Sequence, residues 1–313
     1  MENTAIISSS KSTSTAKNKR PFRLTWRLHL MLLPAVLVAL IFKYAPMPGI
    51  VMAFQDFKPW LGISGSSWIG WDNFNLMFTM HDSVQVILNT LTISLLKIIF
   101  GLVVPVTFAL LLNEVRNSSL KRSVQTLVYL PHFMSWVILG GILLDLLSLE
   151  GIVNRLITSL HWEPIMFLGD GNWFRVTVII SDLWKEFGFS AIVFLAALSG
   201  INPALYEASE IDGAGRFQQT IYITLPSLLP IIIVVFTLSL GNVLNANFDQ
   251  IFNLINPLVL EKGDIIDTYA YRTFQGGQYS LATAVGIFKS MVGFVLISGG
   301  YYFAYRVANY RIF

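Results

Sequence analysis

Six apolar runs, each of membrane-spanning length, alternate with polar connections along this sequence. A helix rising 1.5 Å per residue needs about 20 predominantly apolar residues to cross a bilayer core. Runs near 28–50, 84–112, 124–147, 174–199, 226–247 and 283–305 meet that length. Pro34, Pro105 and Gly188 fall inside them and mark kinks or points of close packing, which membrane helices tolerate better than soluble ones. The pattern predicts an all-α, polytopic membrane protein with six transmembrane helices.

Composition agrees. Hydrophobic residues make up 54% of the chain and charged ones 12%, with a mean hydropathy of +0.63, so the chain is built for lipid as one of its solvents. Cysteine is absent, which excludes a disulfide framework, a thiolate metal site and a cysteine nucleophile. His29, His81, His132 and His161 are scattered without metal-binding spacing, so no metal and no catalytic residue is expected.

The placement of charge sets the expected orientation. Residues 1–27 are polar and carry Lys11, Lys17, Lys19, Arg20, Arg23 and Arg27 against Glu2 alone. They read as a disordered basic cytosolic tail; a nucleic-acid arm would need aromatics and a fold signature that this segment lacks. The apolar run from Leu28 is too long for a cleaved signal sequence. With the tail inside, Arg116, Lys121, Arg122, Arg216, Arg306 and Arg311 fall on the same side, against Lys58, Arg155, Arg175, Lys262 and Arg272 outside. That bias puts both termini in the cytosol. The expected organisation is therefore a tail at 1–27, a first helix with an aromatic external loop at 28–83, a core domain at 84–309 and a short cytosolic tail at 310–313. The aromatic loop, with Trp60, Trp68 and Trp71, suits an interfacial belt or a docking surface for an external partner.

One polar connection stands out. Asn202-Pro203 reads as a helix start, Glu207 and Glu210 follow three residues apart, and Gly213 supplies a sharp turn. A second short helix is expected from Ala214 to Thr224, before Pro226 opens the next run. The spacing Glu-Ala-Ser-x3-Gly-x9-Ile-x-Leu-Pro, from Glu207 to Pro226, resembles the EAA loop of permease subunits in binding-protein-dependent ATP-binding-cassette (ABC) importers. Asp212-Gly213-Ala214 is similar to the form in the carbohydrate-uptake branch. Ser209 departs from the usual alanine. The resemblance runs from about residue 84 to 309 and includes Leu130-Pro131 and Leu198-x-Gly200-Ile201-x-Pro203. A narrower resemblance, Ile266-Asp267-Thr268-Tyr269 with Gln278-Tyr279-Ser280, is to the subgroup handling polysaccharide fragments.

The resemblance implies an ABC importer permease fold in a bacterial cell membrane. It also implies a second homologous permease, giving a heterodimer, two copies of a cytosolic ATPase and an extracytoplasmic solute-binding protein. Glu207, Ala208, Ser209, Asp212, Gly213, Ala214, Leu225 and Pro226 are then the residues expected to couple to the ATPase. The chain has no phosphate-cradling Gly-x4-Gly-Lys-Ser/Thr loop. It is therefore expected to be no enzyme and to bind no cofactor itself, with ATP and magnesium at the partner ATPase.

Polar residues inside the runs are costly and are candidates for the transport path. The fourth run carries Asp182, Lys185 and Glu186; Lys97 and Lys289 lie deep in the second and sixth and need partners from other helices or a water-filled path. Asn242, Asn245, Asp249, Asn253 and Asn256 would share one face if the fifth helix continued that far, with Phe248 and Phe252 alongside. Amides and carboxylates bond sugar hydroxyls and aromatic rings cover pyranose faces, so the expected substrate path is Asn242, Asn245, Asp249, Asn253, Phe248, Phe252, Lys97, Lys185 and Glu186. Two other readings stay open. The amides can serve as glue between helices, and Asp182, Lys185 and Glu186 can form the relay of an ion-coupled transporter. An ABC permease for a non-sugar solute is a further alternative.

Overall fold

The computed structural model describes residues 22–308. The expected basic tail, up to residue 21, and the tail at 310–313 lie outside the described residues. The chain divides into two compact units, 1–49 and 50–313.

In the first unit, α1 (Phe22–Ala39) contains Pro34 and passes into a wider, π-helical turn at Leu40–Tyr44. Its described side chains from Leu30 to Val38 are exposed and almost all apolar, the surface of a helix whose surroundings are lipid or another apolar chain.

The second unit opens with a small hairpin, β1 (Gln55–Asp56) and β2 (Ser67–Trp68), paired antiparallel with Gln55 opposite Trp68. The helix α2 (Asp72–Thr79) follows, and Asn73 donates to the Ala53 and Gln55 carbonyls at 2.8 and 3.1 Å, tying the hairpin down. The main helices are α3 (His81–Asn113), α4 (Ser118–Tyr129), α5 (Trp136–Leu147), α6 (Ile152–Ser159) and α7 (Gly171–Ser199). They continue with α8 (Pro203–Ile211), α9 (Arg216–Gln219), α10 (Leu225–Leu240), α11 (Phe248–Leu254), α12 (Ile266–Gln275) and α13 (Tyr279–Ala308).

Among the described residues five helical runs are long and apolar enough to cross a membrane. A sixth is made if α7 and α8, bent by 67°, count as one. The charges of α7 distinguish it from the others. The core lies where α3, α7 and α10 meet, around Ala109, Ala191, Phe194 and Leu228. A second core cluster, around Ile93, Phe174 and Ile251, joins α3 and α7 to α11.

Two of the six expected runs are interrupted. The run expected over 124–147 breaks between α4 and α5 in a tight turn, Leu130–Phe133. Pro131 lacks the N–H that a continuous helix needs, and Ser135 caps the restart by accepting from Ile138 N at 3.4 Å. The run expected over 226–247 stops at Leu240. Gly241 follows, and the chain tightens into turns in which Asn242 N donates to the Ser239 carbonyl at 2.9 Å and Val243 N to the Leu240 carbonyl at 3.2 Å. Asn247 takes a left-handed conformation, φ 73°, and caps α11 by accepting from Gln250 N at 3.3 Å.

Gly188 is a point of close packing: a Cβ there would sit 2.4 Å from the Val128 side chain and 2.5 Å from its carbonyl oxygen. Pro105 is accommodated inside the uninterrupted α3.

The 257–275 segment is held on α3 and α7 by polar side chains. Asn89 donates to the Glu261 and Asp264 carbonyls at 2.9 and 3.1 Å, and Arg175 bonds both Asn89 and the Lys262 carbonyl. Asp264, almost wholly buried, accepts from Thr268 at 2.6 Å and pairs with Arg272. Burial holds its carboxyl above the usual carboxylate range, against the opposing pull of Thr268 and Arg272. Asp267 binds Lys289 of α13 at 2.6 Å, and Tyr269 bonds Ser83 at 2.9 Å. The stretch Ile266–Tyr269 thus anchors α12 to its neighbours.

Candidate functional site

Two places on the second unit carry chemistry, one in the break of α10 and one in the turn after α7. At the break, a cavity of about 720 Å³ is lined by Ser94, Lys97 and Gly101 of α3, Asp182 and Glu186 of α7, and Asn242, Asn245, Asn247, Phe248 and Asp249. Lys97 is nearly buried. It pairs with Asp182 at 3.2 Å, donates to the Ala246 carbonyl at 3.0 Å and bonds Gln250. Asp182 in turn accepts from Asn247 at 3.1 Å. Gln250, fully buried, donates to the Val178 carbonyl and to Ser181 at 2.8 and 2.9 Å. This network fastens the broken helix to α3 and α7, and it supplies the cross-helix partner that Lys97 requires.

Beside it, Lys185 is turned away from the cavity. It donates to the His132 carbonyl at 2.7 Å and to Glu186 at 2.9 Å. The His132 ring contacts the other oxygen of Glu186 at 2.7 Å and stacks on Phe189 with centroids 3.9 Å apart. The interruption at Pro131 brings His132 against Glu186 of the cavity wall, a contact that a continuous third helix would not have suggested.

The cavity gathers Asn242, Asn245, Phe248, Asp249, Lys97 and Glu186 from the expected substrate path. Asn253, Phe252 and Lys185 lie off its wall. The single helical face imagined for the five polar residues does not form, because the helix ends before Asn242. Asn253 instead donates to the Asp249 carbonyl of its own helix at 2.7 Å, and Asn256 donates to the Leu168 carbonyl at 2.6 Å. Asp182 and Asn247 belong to the wall as well. Among the described residues, no group of three or more His, Asp or Glu is placed to hold a metal ion.

At the turn, Asn202 caps α8 by accepting from Ala204 N at 3.1 Å, with Pro203 in the first turn. The helix closes through Ala214 N to the Ser209 carbonyl, 2.9 Å, with Gly213 left-handed at φ 78°. After α9 the chain widens into a π-helical turn, Thr220–Thr224, directly before Leu225-Pro226.

The resulting hairpin is stapled internally. Gln219 donates to Ser209 Oγ at 3.1 Å, Tyr206 bonds Thr224 at 2.9 Å, and Arg216 pairs with Glu114 at the end of α3. Ser209, the one residue that departs from the EAA pattern, is thus the acceptor of a hairpin contact that alanine could not make. Glu207, Glu210 and Asp212 have no side-chain partner among the described residues. Ala208, Gly213, Leu225 and Pro226 are exposed and Ala214 is half-buried. Ile211 and Phe217 stand out at 87% and 78% exposure, and no sequence motif singled out these two apolar knobs.

Comparison with known proteins defines the class. Residues 98–308 match the family of binding-protein-dependent transport system inner membrane components. The chain belongs to that family, and is a multi-pass membrane permease subunit of an ABC importer. It is 43% identical over 288 residues to protein LplB of Bacillus subtilis, covering 91% of each chain. It is 44% identical over 272 residues to the polygalacturonan/rhamnogalacturonan transport system permease protein YteP of the same organism, covering 86% of this chain and 85% of that one. Its fold matches, with a TM-score of 0.84 and 41% identity, a chain of a bacterial ABC transporter that imports the acidic polysaccharide alginate. The match covers 91% of this chain and 97% of the other. A second structure of an alginate transporter, in complex with a periplasmic protein carrying an alginate pentasaccharide, gives the same TM-score at 39% identity.

Proposed function

We propose that this chain is half of the translocation path for an oligosaccharide, released to it by a solute-binding protein and moved by alternating access. A second permease closes the cavity, and two copies of an ATPase, which hold the ATP and magnesium, dock under the α8 hairpin. Both termini and that hairpin lie in the cytosol. The observation that carries the reading is the cavity wall: three amides, a carboxylate without a partner among the described residues and an aromatic ring converge at a break in a membrane helix. Amides and carboxylates exchange hydrogen bonds with hydroxyls, and the ring covers an apolar sugar face. The relatives named for polygalacturonan and alginate point to cargo of the same broad class.

Coupling follows from the layout of α7. It carries Asp182 and Glu186 at the cavity and runs unbroken to Ser199, and α8 begins at Pro203 after a short turn with a 67° bend. A shift of α8 in an ATPase cleft is therefore delivered to the cavity wall through one rigid helix.

The test is reconstitution of the chain with its partner permease, ATPase and binding protein in vesicles. Pectic oligosaccharides serve as probe. Sugar should accumulate only with ATP and should persist with an uncoupler. Accumulation that needs no ATP and collapses with the uncoupler would establish the ion-coupled mechanism instead.

A further inference from the structure

Three aromatic rings meet at a corner that begins where the cavity ends. Phe248 and Phe252 lie one turn apart on α11 and stack with centroids 5.1 Å apart and planes 20° from parallel. Tyr271 of α12 stands edge-on to both, at 5.6 and 5.2 Å. Phe248 belongs to the cavity wall. The other two rings do not, yet Phe252 is 46% exposed and Tyr271 38%. A cluster formed only to fill a core would be sealed.

Polar groups border the rings. Asp249 is exposed, and its carboxylate has no partner among the described residues. The Tyr271 hydroxyl accepts from Gln275 at 2.9 Å and keeps its own proton to donate. This combination identifies the occupant. A pyranose ring has apolar C–H faces and a girdle of hydroxyls, so it needs a flat aromatic surface with acceptors and donors at its edge. A lipid tail, or an apolar face of another chain, laid on the same corner would desolvate the Asp249 carboxylate without replacing its hydrogen bonds.

The geometry points to a second sugar subsite, formed by Phe252 and Tyr271, for a further pyranose ring of the oligosaccharide whose neighbouring ring lies against Phe248. This inference rests on the reading of the cavity as a sugar path. It makes Tyr271 a specificity-determining residue. Its consequence is selection by length: a chain that fills the cavity and continues past Phe248 reaches the corner, and a short sugar held wholly inside the cavity does not.

The experiment uses the complete reconstituted transporter and a pectic hydrolysate containing chains of two to six rings, with the sugars accumulated inside vesicles resolved by length. In Phe252→Ala and Tyr271→Ala, uptake of the longest chains should fall about tenfold, the scale of one stacked aromatic contact. Dimer uptake should stay within about twofold of the unaltered protein. Tyr271→Phe, which keeps the ring, should keep the length profile. Loss of all lengths together, with less complex recovered from the membrane, would mean that the corner only holds the fold or the partner chain, and would overturn the subsite. An unchanged length profile would overturn it too. If the unaltered transporter accumulates no sugar of any length with ATP, the sugar-path reading itself fails.

Discussion

The middle of α7 and the hairpin beyond its C-terminal end treat their charges in opposite ways. At the cavity, Asp182 is paired with Lys97 and Glu186 with Lys185 and His132, each within hydrogen-bond reach, with the two lysines largely buried. Past the far end, Glu207, Glu210 and Asp212 face solvent unmatched, next to the exposed Ile211 and Phe217. Matched charges in a low-dielectric surrounding hold helices in register. Unmatched ones beside apolar knobs are offered to something else, since a docking surface combines an apolar anchor with a polar rim. On the proposed function, the first cluster would keep the wall of the path in place and the second would receive the ATPase.

The contrast can be broken at either end, and the largest effect belongs to the matched one. Asp182→Ala leaves Lys97 buried without its carboxylate. The expected destabilisation is toward the lower end of about 3–5 kcal/mol, since Asp182 also faces the cavity. Thermal unfolding of the purified complex reads it. The double change Asp182→Asn with Lys97→Met should recover most of the loss. Normal stability with abolished uptake would mean that the pair works as a relay and that matching is no sign of a structural role.

Next in size is Glu207→Lys. Reversing a charge at a docked interface costs about 2–5 kcal/mol, so the ATPase should dissociate and uptake should drop at least thirtyfold by that conversion. The purified permease should unfold as before. Co-purification of the ATPase in undiminished amount would show that this carboxylate is not offered to it.

Gly213→Val tests the same end through the backbone. No atom lies within 4 Å of a Cβ placed there, so the penalty comes only from forcing a β-branched residue to φ 78°, about 1–3 kcal/mol. Hydrogen exchange should quicken at Asp212, Gly213 and Ala214 and nowhere in the cavity wall. Quickening at Asn247 as well would show that the two ends form one cooperative unit.

The smallest effect concerns Asp264. Its carboxyl is held above the usual range by burial, so the proton is retained more firmly in the folded chain than in the unfolded one. Stability from this group is present below the ordinary carboxylate value of about 3.9 and is lost as pH rises through the folded value. Exchange protection of Ile266–Tyr269, corrected for intrinsic rates, should therefore weaken as pH is raised from acid. Asp264→Asn should flatten that dependence. A profile that rises with pH would refute the sign.

How much of this was readable beforehand depends on how local each feature is. The hairpin was legible in part, because the cap at Asn202 and the turn at Gly213 are short-range chemistry. The separate second helix expected to end before Pro226 does not form, since Arg216–Leu240 runs on through the π-helical turn at Thr220–Thr224. The need for a partner at Lys97 and Lys289 was legible from cost alone, but not the partners themselves. Asp182 lies on another helix, and Asp267 lies in a segment that only packing brings against α13. The break after Leu240 was missed because the apolar run continues through Val243 and Leu244. The helix ends at Leu240 in tight turns, and the next one restarts at Asn247, whose left-handed cap is fastened to Asp182, a tertiary contact with no sequence signature. The corner at Tyr271 was invisible for the same reason, since it joins α11 to α12 across a loop.

The exposed Ile211 and Phe217 bear on how a cell must make this protein. An apolar knob of this kind, left uncapped in water, is an adhesive surface for chaperones, proteases and other copies of itself. On the proposed docking, a chain synthesised in excess of the ATPase would carry that liability for its whole lifetime. Its abundance should therefore follow the scarcer of the two partners, and matched production of both is built into the shape of one short hairpin.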